Sequence, residues 1–226
     1  MDDFKRYGIY VVPDGAFFEA ASAWLGWNSA TGQPVPHPDV PDLPEPVTVL
    51  TATPQKYGFH GTIKPPFALA DGISAADLHA DASRFCATQD TVLIPEQNLR
   101  RMGGIIANVP TKPYATLEAL AAASVEAFDA FRAPASEAEL DSRRKANLSD
   151  RQEALLQKWG YPYVMDEFRF HLTLTGRTNH ADAVRDALAA HFAPVLPRPF
   201  FINSLALMGE DDLGRFHLIH RYTLSG

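Results

Sequence analysis

Cysteine is nearly absent from this chain, and long apolar runs are missing. The single thiol, Cys86, has no internal partner for a disulfide, which is typical of proteins that fold in a reducing cytoplasm. No stretch approaches the ~18 consecutive apolar residues that a membrane-spanning helix needs. The first residues, MDDFKRYGIYVVP, place acidic side chains before a short apolar run, unlike a secretory signal peptide. We therefore expect a cytoplasmic protein without membrane association.

Basic residues are also scarce. Lys and Arg number 20 against 27 Asp and Glu, so the formal net charge is -7. Binding long nucleic acid along a broad surface requires clustered positive charge, and no long nucleic acid is expected as a partner. A net negative charge is still compatible with a small anionic substrate that is bound by a few basic residues close to one another. Apolar residues at 46% and charged residues at 21% are ordinary for a globular chain of this length.

Strand-like and helix-like segments follow a repeated order. A strand with His-x-Thr, a helix and two further strands occupy roughly 57–109, and the same order returns over roughly 168–224. This order predicts an α+β fold: one bilobal, pseudo-symmetric domain over 1–226 with an internal duplication. Two antiparallel sheets, each backed by helices, would surround a central cleft. Chance similarity between the two halves is the alternative.

Local signals predict the principal elements. Helices are expected over 16–27, 74–89 and 112–132, with Ser74 as N-cap and Asp77 as the acid of a capping box. Helical pieces with a break near Ser149 are expected over 136–160. The segment 28–47 contains six prolines and predicts a long surface loop. A Pro-Pro pair at 65–66 is expected to end the first His-x-Thr strand.

Each His-x-Thr strand has one polar and one apolar face, because side chains alternate with period two. In YGFHGTIKPPF one face carries Gly58 and the motif residues, and in FRFHLTLTG one face carries Arg169 and the motif residues. The polar residues expected to share these faces are His60, Thr62 and Lys64 on the first strand, and Arg169, His171, Thr173 and Thr175 on the second. Such faces either meet solvent or line a cleft between the lobes.

Two histidines in one cleft can perform proton transfer in both directions. Imidazole titrates near neutral pH, so one ring can remove a proton from a nucleophile while the other protonates a leaving group. Threonine hydroxyls can donate hydrogen bonds to non-bridging phosphoryl oxygens. This chemistry suits cleavage of a phosphodiester and requires no metal or other cofactor. A metal site is disfavoured, because no carboxylate or thiolate motif flanks the two histidines.

The paired motifs FHGTI and FHLTL resemble the signature of the two-histidine (2H) phosphoesterase superfamily, which includes RNA ligase-type cyclic phosphodiesterases. Further stretches, including LSDRQEALLQKWGYPYVMDEFRFHLTLTG and GRFHLIHRY, are similar to a bacterial branch often encoded with phosphonate-metabolism genes. The resemblance covers nearly the whole chain. It implies a bilobal phosphodiesterase in which His60 and His171 are the acid/base pair and Thr62 and Thr173 bind phosphate.

Other candidates for substrate binding are less specific. Lys64, Arg169 and Thr175 share the motif faces, although each also suits a structural or solvated position. Tyr10, at the end of the first strand, could donate a phenolic hydrogen bond or belong to the core. The basic run 143–145 suits either a solvated helix face or a lid that holds phosphate.

The expected function is hydrolysis of a small cyclic phosphate or phosphodiester, with a phosphoribosyl cyclic phosphate as the substrate suggested by the resemblance. One alternative is processing of RNA ends that carry a 2′,3′-cyclic phosphate or a 2′-5′ linkage; the acidic balance disfavours it. The other is a non-catalytic protein that binds a phosphate ligand. Which histidine is the acid stays open at this stage.

Overall fold

The computed structural model describes residues 4–226 and contains one seven-stranded antiparallel sheet with helices packed against it. The larger sheet strands are β1 (Arg6–Val11), β4 (Gly61–Phe67), β6 (Gln97–Met102), β7 (Ile105–Pro110), β8 (Leu172–Thr173), β10 (Ser204–Glu210) and β11 (Phe216–Thr223). Two short pairs stand beside it: β2 (Trp27–Asn28) with β3 (Gln33–Pro34), and β5 (Val92–Ile94) with β9 (Phe200–Ile202).

Seven α-helices connect these strands within residues 4–226. They are α1 (Gly15–Leu25), α2 (Val47–Thr51), α3 (Ala75–Cys86), α4 (Ala115–Ala127), α5 (Glu137–Arg144), α6 (Asp150–Trp159) and α7 (Ala181–Phe192). Short 3₁₀ turns occupy Gln55–Tyr57, Asp129–Phe131 and Met165–Glu167. None of the helices in the described chain is both long and apolar enough to cross a membrane.

Several sequence predictions are confirmed at residue level. Ser74 caps α3, and the reciprocal capping box with Asp77 is present. Ser149 caps α6 in the same way, and the chain between α5 and α6 is not helical. The predicted loop over 28–47 is largely irregular, apart from the β2–β3 hairpin and the start of α2. The predictions for residues 1–3 lie outside the described chain.

The strand order places the two His-x-Thr strands side by side in the middle of the sheet. The order is β11-β10-β1-β4-β8-β7-β6, and the β4–β8 contact joins the two expected antiparallel sheets into one. The hairpin β6–β7 follows the first motif but lies beside β8, whereas β10–β11 follows the second motif but lies on the β1–β4 side. Each side of the sheet is therefore built from both sequence units, and the α+β class is confirmed.

The strand β4 departs from simple alternation. Tyr10 lies opposite Thr62, but Ile9 lies opposite Lys64 rather than Ile63. The extra residue is a β-bulge, which changes the face onto which the following side chain points. The expectation that Lys64 shares a face with Thr62 is therefore wrong.

The ends of both motif strands also differ from the prediction. β4 begins at Gly61 and continues through both prolines to Phe67, so the Pro-Pro pair does not end it. A second register shift lies between Tyr7 and Ile9, and bulges tolerate proline because the ladder there lacks regular N–H donation. The second motif strand is shorter than expected: the ladder contains only β8, and the residues just before it follow a 3₁₀ turn.

One main hydrophobic core lies between the sheet and helices α1, α3, α4 and α7. Trp24 of α1 is fully buried, and its indole N–H donates to the Leu174 carbonyl at 2.7 Å. This bond ties the first helix to the chain that follows the second motif. A separate small cluster of Val125, Leu155 and Val164 fastens α6 to α4. These contacts hold α6 and the turn Met165–Glu167 against α4.

Candidate active site

One residue pair aligns the two motifs. Gly61 of β4 lies opposite Leu172 of β8 in an antiparallel ladder. Continuing this register by one residue in each direction sets His60 opposite Thr173 and Thr62 opposite His171. Side chains directly across an antiparallel ladder lie about 4.5–5.5 Å apart at Cβ. This register brings the four motif residues towards one another on one face of the sheet; His60 Nε2 lies 3.1 Å from Thr62 Oγ1, and the charge of His171 acts on His60. We call these four residues the His-Thr square.

Both imidazoles are held in the same way. His60 Nδ1 donates to the Gly58 carbonyl at 3.0 Å, and His171 Nδ1 donates to the Arg169 carbonyl at 2.7 Å. In each case the carbonyl belongs to the residue two positions earlier. Since a carbonyl only accepts hydrogen bonds, Nδ1 carries the proton and Nε2 of the neutral ring has a free lone pair. The backbone thus directs the reactive nitrogen of both rings away from the anchoring carbonyl.

The surroundings of His60 favour its neutral form. Burial, together with the nearby charge of His171, lowers the pKa of the His60 imidazole to about 4, whereas the Gly58 carbonyl opposes this shift. The ring is therefore neutral at pH 7. Its Nε2 accepts a hydrogen bond from the Thr62 hydroxyl at 3.1 Å.

Tyr10 forms one wall beside His60. The two rings stack with centroids 3.9 Å apart and planes inclined by 15°. Tyr10 is 1% exposed, and burial raises the pKa of its phenol well above the usual range. Tyr57 approaches the same imidazole from another side, at 6.3 Å between ring centroids. These contacts restrict His60 to one orientation.

Two glycines make the first motif geometrically feasible. Gly58 has φ +69, and a Cβ there would also lie 2.8 Å from Ser29 Cβ. This left-handed backbone turns its carbonyl towards His60. At Gly61, an added Cβ would clash with the Phe170 ring. The close approach of β4 to the second motif therefore excludes a side chain at this position.

The square opens into a cleft of about 560 Å³. Three of its residues, His60, Thr62 and Thr173, line this volume, and His171 lies beside it across from Thr62. The remaining lining residues come from several elements and include Arg6, Tyr10, Tyr57, Pro65, Pro66, Ile105, Arg143, Tyr161, Thr175 and Arg177. None of the described residues that line the cleft is Asp or Glu, although the whole chain has a net charge of -7.

The further sequence candidates have different positions. Tyr10 lines the cleft, as does Thr175, whose buried hydroxyl accepts a hydrogen bond from the Ile106 amide at 2.9 Å. Arg169 lies outside the cleft, in a neighbouring groove, and donates to the carbonyls of Asp166 and Phe168. The structure thus places Arg169 away from the expected shared face, because it closely follows the 3₁₀ turn Met165–Glu167 and its guanidinium is bound to the Asp166 carbonyl of that turn.

Lys64 lies on the opposite side of the sheet from the cleft. It is 2% exposed, and its Nζ donates to the Val125 carbonyl at 3.1 Å and lies 3.6 Å from Asp129 Oδ1. Burial lowers the pKa of its ammonium to about 8, although the Asp129 charge opposes the change. The expected substrate contact of Lys64 is replaced by an internal one to α4 and the turn after it.

Sequence reasoning missed two cleft arginines. Arg6 lies on β1, four positions before Tyr10. Side chains alternate along a strand, so Arg6 could have been predicted on the same face as Tyr10. It donates to Glu210 through Nε and through Nη2, the latter at 2.9 Å. Arg177 follows the second motif after its strand has ended, and no periodic signal marks it.

The basic run 143–145 is divided by the end of α5. Arg143 lines the cleft and stacks on the Tyr161 ring at 4.7 Å. Arg144 instead bonds Glu153 at 2.9 Å and Asp141 at 3.2 Å. Helix geometry directs adjacent residues about 100° apart, which explains the different surroundings. The proline-rich loop 28–47 contributes no lining residue to the cleft, whereas Thr53 and Pro54 just after it do.

No group of three or more His, Cys, Asp and Glu side chains arranged to hold a metal ion occurs within residues 4–226. The polar side chains among the residues that line the cleft are those of histidine, threonine, tyrosine and arginine. Such groups complement an oxyanion through hydrogen bonds and positive charge.

Comparison with known proteins gives a family and longer relatives. Residues 62–217 match the model of a family described as a protein of unknown function, DUF1045. A Janthinobacterium sp. (strain Marseille) protein named ribose 1,5-bisphosphate phosphokinase PhnN is 38% identical in an alignment of 222 residues that covers 94% of this chain and 49% of that protein. A protein of the same name from Laribacter hongkongensis is 35% identical, with 92% and 49% covered. The chain spans about half the length of these curated relatives.

Solved structures with a similar backbone fold were also found. E. coli LigT complexed with 3′-AMP has a TM-score of 0.45 and 14% identity, with 98% of each chain covered. A structure described as a phosphoesterase has a TM-score of 0.46, 14% identity and 99% coverage of both chains.

Proposed function

The chain belongs to the DUF1045 family, and we propose that it is a metal-independent phosphodiesterase that hydrolyses a small cyclic phosphate or phosphodiester. The observation that carries this proposal is the square of two histidines and two threonines across the β4–β8 ladder. Both rings are anchored through Nδ1, so both Nε2 atoms are available for proton transfer. The cleft beside them contains cationic groups and no carboxylate among the described residues.

The burial of His60 supports distinct roles for the two histidines. His60, whose pKa is lowered to about 4, is neutral at pH 7 and takes a proton from the attacking water through Nε2. The new bond forms between the water oxygen and phosphorus. His171, protonated at Nε2, gives its proton to the leaving oxygen as the bond from phosphorus to that oxygen breaks. The protons and the electron pair are thereby accounted for without a further reagent.

The threonines stabilise the charge that develops on phosphorus-bound oxygens. In the unliganded protein the Thr62 hydroxyl donates to His60 Nε2. A bound phosphate would offer this hydroxyl an anionic acceptor, which makes a stronger hydrogen bond than neutral imidazole. When the Thr62 hydroxyl turns towards the phosphate, it leaves His60 Nε2 free to accept a proton from the water. Thr173, opposite His60, donates from the second strand.

The named relatives support a phosphoribosyl cyclic phosphate as the substrate. Their name refers to ribose 1,5-bisphosphate. Water attack on a 5-phosphoribosyl 1,2-cyclic phosphate, with cleavage of the bond between phosphorus and O2, leaves the phosphate on O1 and yields ribose 1,5-bisphosphate. The phosphodiesterase would then supply the compound that a kinase with the relatives' name consumes. In that case the half of each relative that resembles this chain performs the preceding hydrolysis.

The proposal is tested with a panel of substrates at pH 7. The purified chain is incubated with 5-phosphoribosyl 1,2-cyclic phosphate, a nucleoside 2′,3′-cyclic phosphate and a short RNA ending in a 2′,3′-cyclic phosphate, each with and without EDTA. We expect hydrolysis of the first compound, little effect of EDTA and ³¹P signals of ribose 1,5-bisphosphate. Preferential opening of the RNA end would support the alternative substrate class, and no turnover of any compound would refute the phosphodiesterase.

A further inference from the structure

The cleft contains more positive charge than the reacting phosphate requires. That phosphate has the two imidazoles and the two threonine hydroxyls as partners. Three arginines also line the same volume: Arg6, Arg143 and Arg177. A single phosphodiester carries one negative charge, so the additional guanidinium groups indicate a further anionic group on the ligand.

The three arginines are not equivalent. The Glu210 carboxylate, itself buried, accepts two hydrogen bonds from Arg6 and offsets its charge. Within residues 4–226 no carboxylate forms an ion pair with Arg143 or with Arg177.

Glu139 lies one helical turn before Arg143 on α5, but its carboxylate is hydrogen-bonded by Ser136 at the start of that helix. These hydrogen bonds lower the pKa of the Glu139 carboxyl, and the charges of Arg6 and Arg143 lie near enough to lower it further. Arg143 and Arg177 are therefore the cleft arginines without a direct carboxylate partner among the described residues.

Arg143 has the geometry of a phosphate ligand. Its guanidinium carbon lies over the Tyr161 ring, 4.7 Å from the ring centroid, and a guanidinium that contacts an aromatic face can still bind phosphate through bidentate hydrogen bonds from its N–H edge. It stands at the end of α5, next to Arg6 and Pro66, with which it also borders the adjoining groove. Arg177 lies on the other flank of the cleft, against Gly104 and beside Ile105.

We propose that Arg143, stacked on Tyr161, is a specificity-determining residue that binds a second, non-reacting phosphate monoester of the substrate. This inference rests on the proposed phosphodiesterase and defines its substrate class as a cyclic phosphodiester that also carries a terminal phosphate. The reacting group occupies the His-Thr square, and the monoester reaches the α5 side of the cleft.

Paired substrates test this assignment. The wild type and the variants Arg143→Gln, Arg177→Gln and Arg144→Gln are assayed on ribose 1,2-cyclic phosphate with and without a 5-phosphate. Charge-assisted hydrogen bonds strengthen binding by roughly 10- to 100-fold. The preference is the ratio of kcat/KM with the 5-phosphate to kcat/KM without it, and Arg143→Gln is expected to lower this ratio by that factor. The change should come chiefly from a higher KM for the phosphorylated compound. Arg144→Gln is the matched control, because Arg144 is held by Glu153 and Asp141 outside the cleft, and it should keep the wild-type preference.

The outcomes separate this inference from the proposed function. An unchanged preference in Arg143→Gln, or its loss in Arg177→Gln instead, overturns the assignment of Arg143. If the wild type opens neither compound, the phosphodiesterase proposal fails, and calorimetric titration with ribose 5-phosphate decides the role of Arg143 alone. Binding at least 10-fold weaker in Arg143→Gln than in Arg144→Gln would then support the second phosphate site, and equal binding would overturn it.

Discussion

Gly61 lies directly opposite Leu172, and this pair joins the two halves of the sheet. Gly61 brings the backbone of β4 against the Phe170 ring, while Leu172 is fully buried. A shift of one residue in this register would turn the motif side chains of one strand to the other face. The alignment of the proposed catalytic groups thus depends on a position that carries no reactive side chain.

Loss of either histidine should remove most of the activity. His60→Gln and His171→Gln are each expected to lower kcat by roughly 10²- to 10⁴-fold, the usual contribution of a general base or acid. The kcat of the double variant should be only slightly lower than that of the less active single variant, because the two rings act in the same step. Steady-state kinetics on the cyclic phosphate measures this. Full activity in both single variants would contradict the acid/base roles.

The acid limb of the pH profile should lie unusually low. Because the pKa of His60 is about 4 in the free protein, kcat/KM should stay nearly constant as pH falls to about 5.5 and decline only as pH approaches that pKa. An ordinary histidine base would produce the decline near pH 6.5. Initial rates between pH 3.5 and 9 distinguish the two. An acid limb near 6.5 would exclude His60 as the base and leave that role to His171.

The same pKa predicts a dependence of stability on pH. The folded-state pKa of His60 lies below its unfolded value of 6.5, so the unfolded chain binds more protons between these values. The free energy of unfolding should therefore fall as pH decreases from 6.5 to 4, by up to about 3 kcal/mol from this residue. Urea unfolding of the wild type and His60→Gln at several pH values isolates the contribution. Parallel curves for the two proteins would contradict it.

Adding one methyl group at Gly61 should disturb the site more than its size suggests. In Gly61→Ala the new Cβ meets the Phe170 ring, and such overpacking costs about 1–3 kcal/mol. Separation of β4 from β8 would also misalign the motifs and lower kcat/KM. The variant Gly61→Ala/Phe170→Leu is the control, since removal of ring atoms should restore part of both properties. Wild-type stability and activity in Gly61→Ala would show that the strands have room to move.

Lys64 should prove structural. In Lys64→Met the buried ammonium is replaced by an apolar chain of similar length, while Asp129 keeps its 2.9 Å contact to Arg132. We expect kcat/KM within about threefold of wild type and a stability change within about 2 kcal/mol in either direction, because burying an ion pair is costly. Thr62→Val, a change within the cleft, is the kinetic comparison. A more than tenfold loss of kcat/KM in Lys64→Met at unchanged stability would indicate that Lys64 reaches the substrate.

Features governed by local sequence were predictable. The cap of α3 at Ser74 requires only a side-chain oxygen and an acid three residues later, and both are visible in the chain. The start of α6 follows a related rule, because Ser149 forms a reciprocal capping box with the side-chain amide of Gln152, three residues later. The two histidines could be singled out because the motif recurs with the same flanking pattern.

Features that depend on neighbouring strands were not predictable. Alternation placed Lys64 beside Thr62, but the bulge opposite Ile9 reverses its face, and a bulge is specified by pairing with another strand. Arg169 was expected on the face of His171, but it closely follows the 3₁₀ turn Met165–Glu167 and binds a carbonyl of that turn. Arg177 has no local pattern, since its place in the cleft depends on the approach of Gly104 from the β6–β7 turn.

The sequence by itself determined the chemical groups: two histidines, two threonines and the glycines that let their strands approach. These follow from residue type and spacing, which act over a few positions of the chain. Only the tertiary structure decided that the motifs meet across one ladder, that Lys64 is internal and that Arg143 faces the cleft while Arg144 does not. Those properties arise from packing between segments far apart in sequence, where each contact depends on the position of its partner.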